Sequence, residues 1–223
     1  PDADPHIEPT FDYSRDGILR SLEESLERLG VNHIDIALMH DCENHVEEAI
    51  NEAFPVLHTL KSQGVIKAIG VGLNFPDVAM RIMSEVDLDI AVIAGRYTLL
   101  DQSAQRELLP YAIERNVDIS IAGVFNSGVL ANPVKGATFE YLPASDEIIS
   151  KAQKIGAFLK ERGIPLTAAA LQFPLRHPAV TSVLTGSRNS QELLSNIADF
   201  DLDLPEGIWQ ELEDANLIER LEN

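Results

Sequence analysis

Apolar positions along the chain fall into two alternating rhythms. After Ser14, the residues Ile18, Leu19, Leu22, Leu26 and Leu29 recur at helical spacing, which predicts a helix that Ser14 caps and Gly30 stops. HIDIALMH follows, with an unbroken apolar run from Ile34 to Met39 that reads as a buried strand and ends on His40 and Asp41. Helical rhythm returns over residues 46–63, with a kink expected at Pro55 and a stop at Gly64. The same alternation continues with strands over 65–72, 88–95, 117–124 and 179–186. Between them lie helices over 77–85, from an Asp101 cap to about Arg115, from a Ser145 cap to about Arg162, and over 166–173. Helices over 190–198 and, around Trp209, over 204–221 close the chain.

Each of the five strands is a continuous apolar run rather than an alternating one, as expected when both faces of a sheet are covered. Strands alternating with helices imply parallel βα units. Two closures satisfy that pattern, an open doubly wound sheet and a (β/α)8 barrel. No G-x-G-x-x-G follows the first strand, which counts against a doubly wound dinucleotide fold. In either closure, ligand chemistry collects at the carboxyl ends of the strands. Those ends read His40-Asp41, Gly72-Leu73-Asn74, Gly95-Arg96-Tyr97, Phe125-Asn126-Ser127-Gly128 and Gly186-Ser187-Arg188. Polar side chains and glycines at all five predict a binding mouth on one rim.

Composition narrows the partners. Seventeen Lys and Arg against 36 Asp and Glu give a formal net charge of −19, which argues against nucleic acid and anionic membrane surfaces. The 45% hydrophobic content is enough to bury a sizeable core, and no apolar run approaches the ~20 residues of a membrane span. A single cysteine, Cys42, rules out an intrachain disulfide and fits a reducing, cytoplasmic compartment. Cys42 is expected to be a small packed residue, Asp41 a turn cap, and His177 a turn residue before the last strand. His6, His33, His45 and His58 lack metal-ligand spacing, so no metal site is expected, and no G-x-S-x-G elbow suggests a hydrolase. The opening PDADPHIEP reads as a Pro-rich connecting loop with no initiating methionine.

The stretches SLEESLERLGVNHIDIALMHD, GVIKAIGVGLN, AGRYTLLDQSAQRELLP, GVFNSGVLA and AAALQFPLRHPAVTSVLTGSRNSQELLSNI together resemble the aldo-keto reductases. The closer resemblance is to their NAD(P)-dependent aldose dehydrogenases, the D-threo-aldose and L-fucose enzymes with pyridoxal dehydrogenase as a relative. It covers about Phe11 to Leu217. The resemblance implies a (β/α)8 barrel that binds a nicotinamide cofactor and moves hydride to or from a sugar or related aldehyde or alcohol. It makes His40 the catalytic histidine that closes the fourth strand, hydrogen-bonding the substrate oxygen. It implies that Asn74 holds the nicotinamide carboxamide, and that Phe125, Asn126, Ser127 and Gly128 fold over the pyrophosphate. Gly186, Ser187 and Arg188 are then the adenosine-phosphate end, Glu192 faces the ribose 2′ position, and Asn196 contacts the adenine.

Where this chain departs from the pattern, the implied site changes. Ala94 or Gly95 replaces a glutamine that usually shares the carboxamide. Gly123 stands where a tyrosine usually stacks on the nicotinamide, and Phe125 is expected to take over part of that stacking. Gly186 replaces a common lysine, and Glu192 an arginine, which favours NAD over NADP. Arg96 is expected either to bind substrate hydroxyls or to pair with a rim carboxylate such as Asp101. The family's Asp, Tyr and Lys belong to earlier strands and have no counterpart in these residues. The expectation is therefore a single partial barrel domain over 1–223, inactive alone, from the fourth strand to the C-terminus. Its bare strand edges would allow self-association. The alternative is a reductase-like module that binds or regulates without catalysis.

Overall fold

A computed structural model describes residues 10–221, so the Pro-rich opening and His6 lie outside the described residues. Helix α1, Arg15–Leu29, begins where the Ser14 hydroxyl accepts the Gly17 N–H and ends on Gly30, whose φ of 67° closes the C-terminal turn. Strand β1 is Ile36–His40. Helix α2 runs as Val46–Glu48, a π turn over Ala49–Ala53, and Phe54–Ser62. The π turn is the form the expected kink takes. Pro55 has no N–H to donate, and the wider register absorbs the missing bond.

The later elements are β2 (Ala68–Leu73), α3 (Pro76–Glu85), β3 (Ile90–Ala94), α4 (Leu108–Arg115) and β4 (Asp118–Ala122). After them come the short strands β5 (Thr138–Phe139) and β6 (Leu142–Pro143), then α5 (Asp146–Lys160) and α6 (Leu166–Gln172). Strand β7 (Val180–Leu184), α7 (Ser190–Phe200) and α8 (Ile208–Asp214) complete the order. Two helices are shorter than their patterns suggested. Asp101 accepts the Ser103 N–H, but this starts only a 3-10 turn, Ser103–Gln105, and α4 begins later. In the last helix, Gly207 (φ 87°) delays the start and Asn216 (φ 55°) forces an early stop.

The main sheet has the order β1-β2-β3-β4-β7, every pair parallel. Strands follow one another in chain order with no reversal, so the sheet has no topological switch point. That excludes the doubly wound alternative and gives a partial (β/α) barrel. Register pairs His40 with Gly72, Leu73 with Ile93, and Ala94 with Ala122, which keeps the carboxyl ends on one rim. The amino ends are braced separately, since Lys61 on α2 contacts both Asp89 oxygens, and Asp89 also accepts the Ile69 N–H.

The middle strands are the buried ones, and β1 and β7 are the edges, where Ile36, Leu38 and Leu184 remain exposed. Within the sheet, Gly70 marks the closest approach. A Cβ there would sit 2.2 Å from the Ile90 carbonyl oxygen and 2.8 Å from Leu38 Cδ2. Because backbone cannot yield as a flexible side chain does, Gly70→Ala is expected to cost about 1–3 kcal/mol or more. A lowered urea midpoint would register it, and an unchanged midpoint would contradict this packing. Among the described residues, no helix is long and apolar enough to cross a membrane.

Candidate functional site

The rim starts at the end of β1. Asp41 extends the ladder by donating its N–H to the Gly72 carbonyl at 3.0 Å, and its φ of 48° turns the chain away. His40 stands just before it with an exposed imidazole, Nδ1 3.2 Å from Asp41 Oδ2. A Cβ on Gly72 would lie 3.4 Å from His40 Cδ2, so the missing side chain leaves the imidazole room over the neighbouring strand. His40 borders a cavity of about 630 Å³ between α1 and the exposed β1 edge, which Tyr13 also lines. Burial pushes the Tyr13 phenol up to about 12.

Two clefts follow along the rim. The first, about 380 Å³, is lined by Asn74, Gly95, Gly123, Asn126, Ser127 and Tyr141. Its floor is backbone. Gly95 and Gly123 have φ values of 72° and 64°, and a Cβ at Gly123 would meet the Gly95 nitrogen at 3.3 Å. Asn126 is buried, its Nδ2 is 3.4 Å from the Gly95 carbonyl oxygen, and its Oδ1 has no partner among the described residues. A buried acceptor left unpaired is costly unless something donates to it.

The second cleft, about 430 Å³, shares Gly123 and Ser127 with the first and continues along Phe125, Gly128, Gly186 and Arg188 to Glu192. Glu192 accepts from the Arg188 N–H at 2.8 Å and from its guanidinium, also at 2.8 Å, and these bonds hold its carboxyl below the usual carboxylate range. Asn189 caps α7 by accepting the Glu192 N–H at 2.9 Å. Asn196 donates to the Ser187 hydroxyl at 3.2 Å.

The structure thus brings Asn74, Asn126 and Ser127 into one cleft and Phe125, Gly128, Gly186, Arg188 and Glu192 into the adjoining one. His40 shares their rim but lines neither cleft. The Asn126 and Gly128 N–H groups donate to Gly123 and Phe125 carbonyls, closing the loop on itself. Arg96 is turned to the second of its two expected uses. Its Nε donates to the Asn74 carbonyl at 2.9 Å, and its Nη1 contacts Asp101 at 3.1 Å and Glu140. Nε and Nη1 make these bonds, so Arg96 forms the rim-carboxylate pairing that was one of its two expected uses.

Tyr141 was not legible as a cleft residue. It sits with Glu140 at the tip of the β5–β6 hairpin, both with positive φ, a turn usually made by Asn-Gly or Asp-Gly. The glutamate and tyrosine there give no such signal. Cys42 is fully buried, its thiol pushed up to about 11 by burial. His177 accepts the Ala179 N–H at the turn into β7, and burial holds its pKa below the ordinary value.

Residues 6–217 match the aldo/keto reductase family. The chain belongs to that family. It is 41% identical over 211 residues to the D-threo-aldose 1-dehydrogenase of a Pseudomonas species, covering 93% of this chain and 64% of that protein. It is 39% identical to the pyridoxal 4-dehydrogenase of Microbacterium luteolum, with the same 93% and 64% coverage. The chain therefore spans 64% of the length of these curated relatives. Among solved structures, an aldo-keto reductase of Bacillus halodurans superposes with a TM-score of 0.74 at 22% identity, covering 94% of this chain and 69% of that one. The Gluconobacter oxydans glycerol dehydrogenase gives 0.72 at 18% identity, covering 100% and 71%. At those identities the superpositions establish the reductase fold alone.

Proposed function

We propose that this chain forms the cofactor-binding side of an NAD(P)-dependent oxidoreductase acting at C1 of an aldose, or at a related aldehyde or alcohol carbon. The observation that carries the reading is the pair of joined clefts at the carboxyl ends of the strands. The residues present fit a nicotinamide dinucleotide. The unpaired Asn126 Oδ1 suits a carboxamide N–H, the Gly95–Gly123 floor admits a flat ring, and Ser127 marks the junction where the two halves of the cofactor would meet. A bound nicotinamide cofactor supplies or accepts the hydride.

The chain's own residues do the rest. Asn74 and Asn126 would orient the carboxamide, and Phe125, Ser127 and Gly128 would cover the pyrophosphate. Ser187, Asn196 and the edge at Gly186 would take the adenosine end. His40 would hold the substrate oxygen by a hydrogen bond, oriented by Asp41 on its Nδ1. The 41% and 39% identical relatives, by name an aldose and a pyridoxal dehydrogenase, support a small carbonyl or alcohol substrate.

Glu192 leans the cofactor choice toward NAD. Its carboxylate neutralises Arg188, the cation best placed for a 2′-phosphate. Calorimetric titration of the chain with both cofactors should give tighter binding of NAD. Glu192→Gln removes one negative charge and releases Arg188, so NADP binding should improve by about three- to tenfold while NAD changes less. Tighter NADP binding by the unsubstituted chain would contradict the preference. Binding of neither cofactor would overturn the proposed function itself.

A further inference from the structure

The first cleft lacks an aromatic side chain on its strand floor, yet an aromatic residue of the β5–β6 hairpin borders it. Phe125 borders only the second cleft, whereas Tyr141 borders the first, across from two glycines without side chains. Tyr141 is 89% exposed and has a φ of 63°, with Glu140 beside it at 50°. Left-handed backbone is strained for a non-glycine residue, and an exposed ring forgoes the gain of burial. Strain of this kind persists where surroundings hold it, often at sites of ligand contact.

The surroundings hold the hairpin by several bonds. Tyr141 donates its N–H to the Ser127 hydroxyl at 3.1 Å, and Thr138 donates its hydroxyl to the Ser127 carbonyl at 2.6 Å. Glu140 is gripped by Arg96, which also donates to the Asn74 carbonyl and pairs with Asp101. One guanidinium therefore joins the end of β2, the loop after β3 and the hairpin tip. It ties the hairpin tip that carries Tyr141 to the end of β2.

We propose that Tyr141 is the ring that stacks on the nicotinamide, with Arg96 and Glu140 as the positioning residues that pin it. This rests on the dinucleotide reading above and adds to it a residue on a different element. The cleft has the three features a pyridine carboxamide needs: a backbone floor at Gly95 and Gly123, an unpaired buried acceptor on Asn126, and an aromatic residue, Tyr141, at its edge that can swing over a bound ring. Stacking of flat rings is strongest when offset and partly desolvated, which a pinned hairpin permits and a free loop does not.

The test separates the ring from the rest of the cofactor. Calorimetry on the full chain compares NAD with ADP-ribose, which has the same pyrophosphate and adenosine but no nicotinamide. Tyr141→Ala should weaken NAD by about three- to tenfold and leave ADP-ribose within about twofold, while Tyr141→Phe should keep NAD affinity. Glu140→Ala should weaken NAD in part, again sparing ADP-ribose. Equal NAD affinity in Tyr141→Ala, or equal loss for both ligands, would overturn the role of Tyr141 while leaving the dinucleotide reading standing. An unsubstituted chain that binds neither ligand would overturn both.

Discussion

Truncating Glu213 to alanine is expected to lower the stability of this chain by about 3–5 kcal/mol. Glu213 on α8 faces Arg176, and the two side chains are only 7% and 5% exposed. The guanidinium lies 5.1 Å from the Phe173 ring centre and 5.8 Å from that of Trp209, so apolar rings rather than other carboxylates surround it. Glu213 also accepts the Leu221 N–H at 3.1 Å, which ties down the end of the chain. Removing it leaves a buried cation and an unpaired N–H together. The double variant Arg176→Met with Glu213→Leu removes both charges and should be far milder, because the pair's own desolvation cost disappears with it. Urea titration of the three proteins measures this, and a single variant within 1 kcal/mol of the parent would contradict the buried pair as the brace of the last helix.

The second large effect is on turnover. We expect the 223-residue chain to bind a dinucleotide yet oxidise aldoses about 10²–10⁴-fold more slowly than the about 1–10³ per second usual for enzymes. On the proposed reading, His40 orients the substrate oxygen and a second group must move the proton. The His40 imidazole is exposed on the β1 edge, outside both clefts, and among the described residues no lysine lines its cavity. Tyr13 lines the same cavity, but burial raises its phenol to about 12, which favours a packing role. Ordinary turnover by this chain, abolished in His40→Ala, would show that some described group does the acid–base work after all.

The middle strands were legible in the sequence because their apolar runs reflect burial of both faces, whereas β1, expected to be buried, and β7 carry the same pattern as exposed edges. Cap residues such as Ser14 and Ser145 also spoke directly, since their hydroxyls accept the expected N–H groups. What the sequence could not convey depends on distant partners. Arg96 reads equally well as a sugar-binding group or a brace until Glu140, 44 positions later, is seen against it. Tyr141 reaches the first cleft only because a two-residue turn without glycine folds back over Ser127. The shortened last helix reflects left-handed backbone at Gly207 and Asn216, which overrides an amphipathic pattern.

Nuclear magnetic resonance titration of the labelled chain with NAD tests most directly whether the carboxyl-end rim is one dinucleotide cleft. The backbone amides of Asn74, Gly95, Asn126, Ser127 and Arg188 should shift together, saturably, with a single dissociation constant, while the amides near Lys61 and Asp89 at the opposite ends of the strands stay still. Absence of saturable shifts, or shifts confined to the Lys61–Asp89 end, would contradict the account.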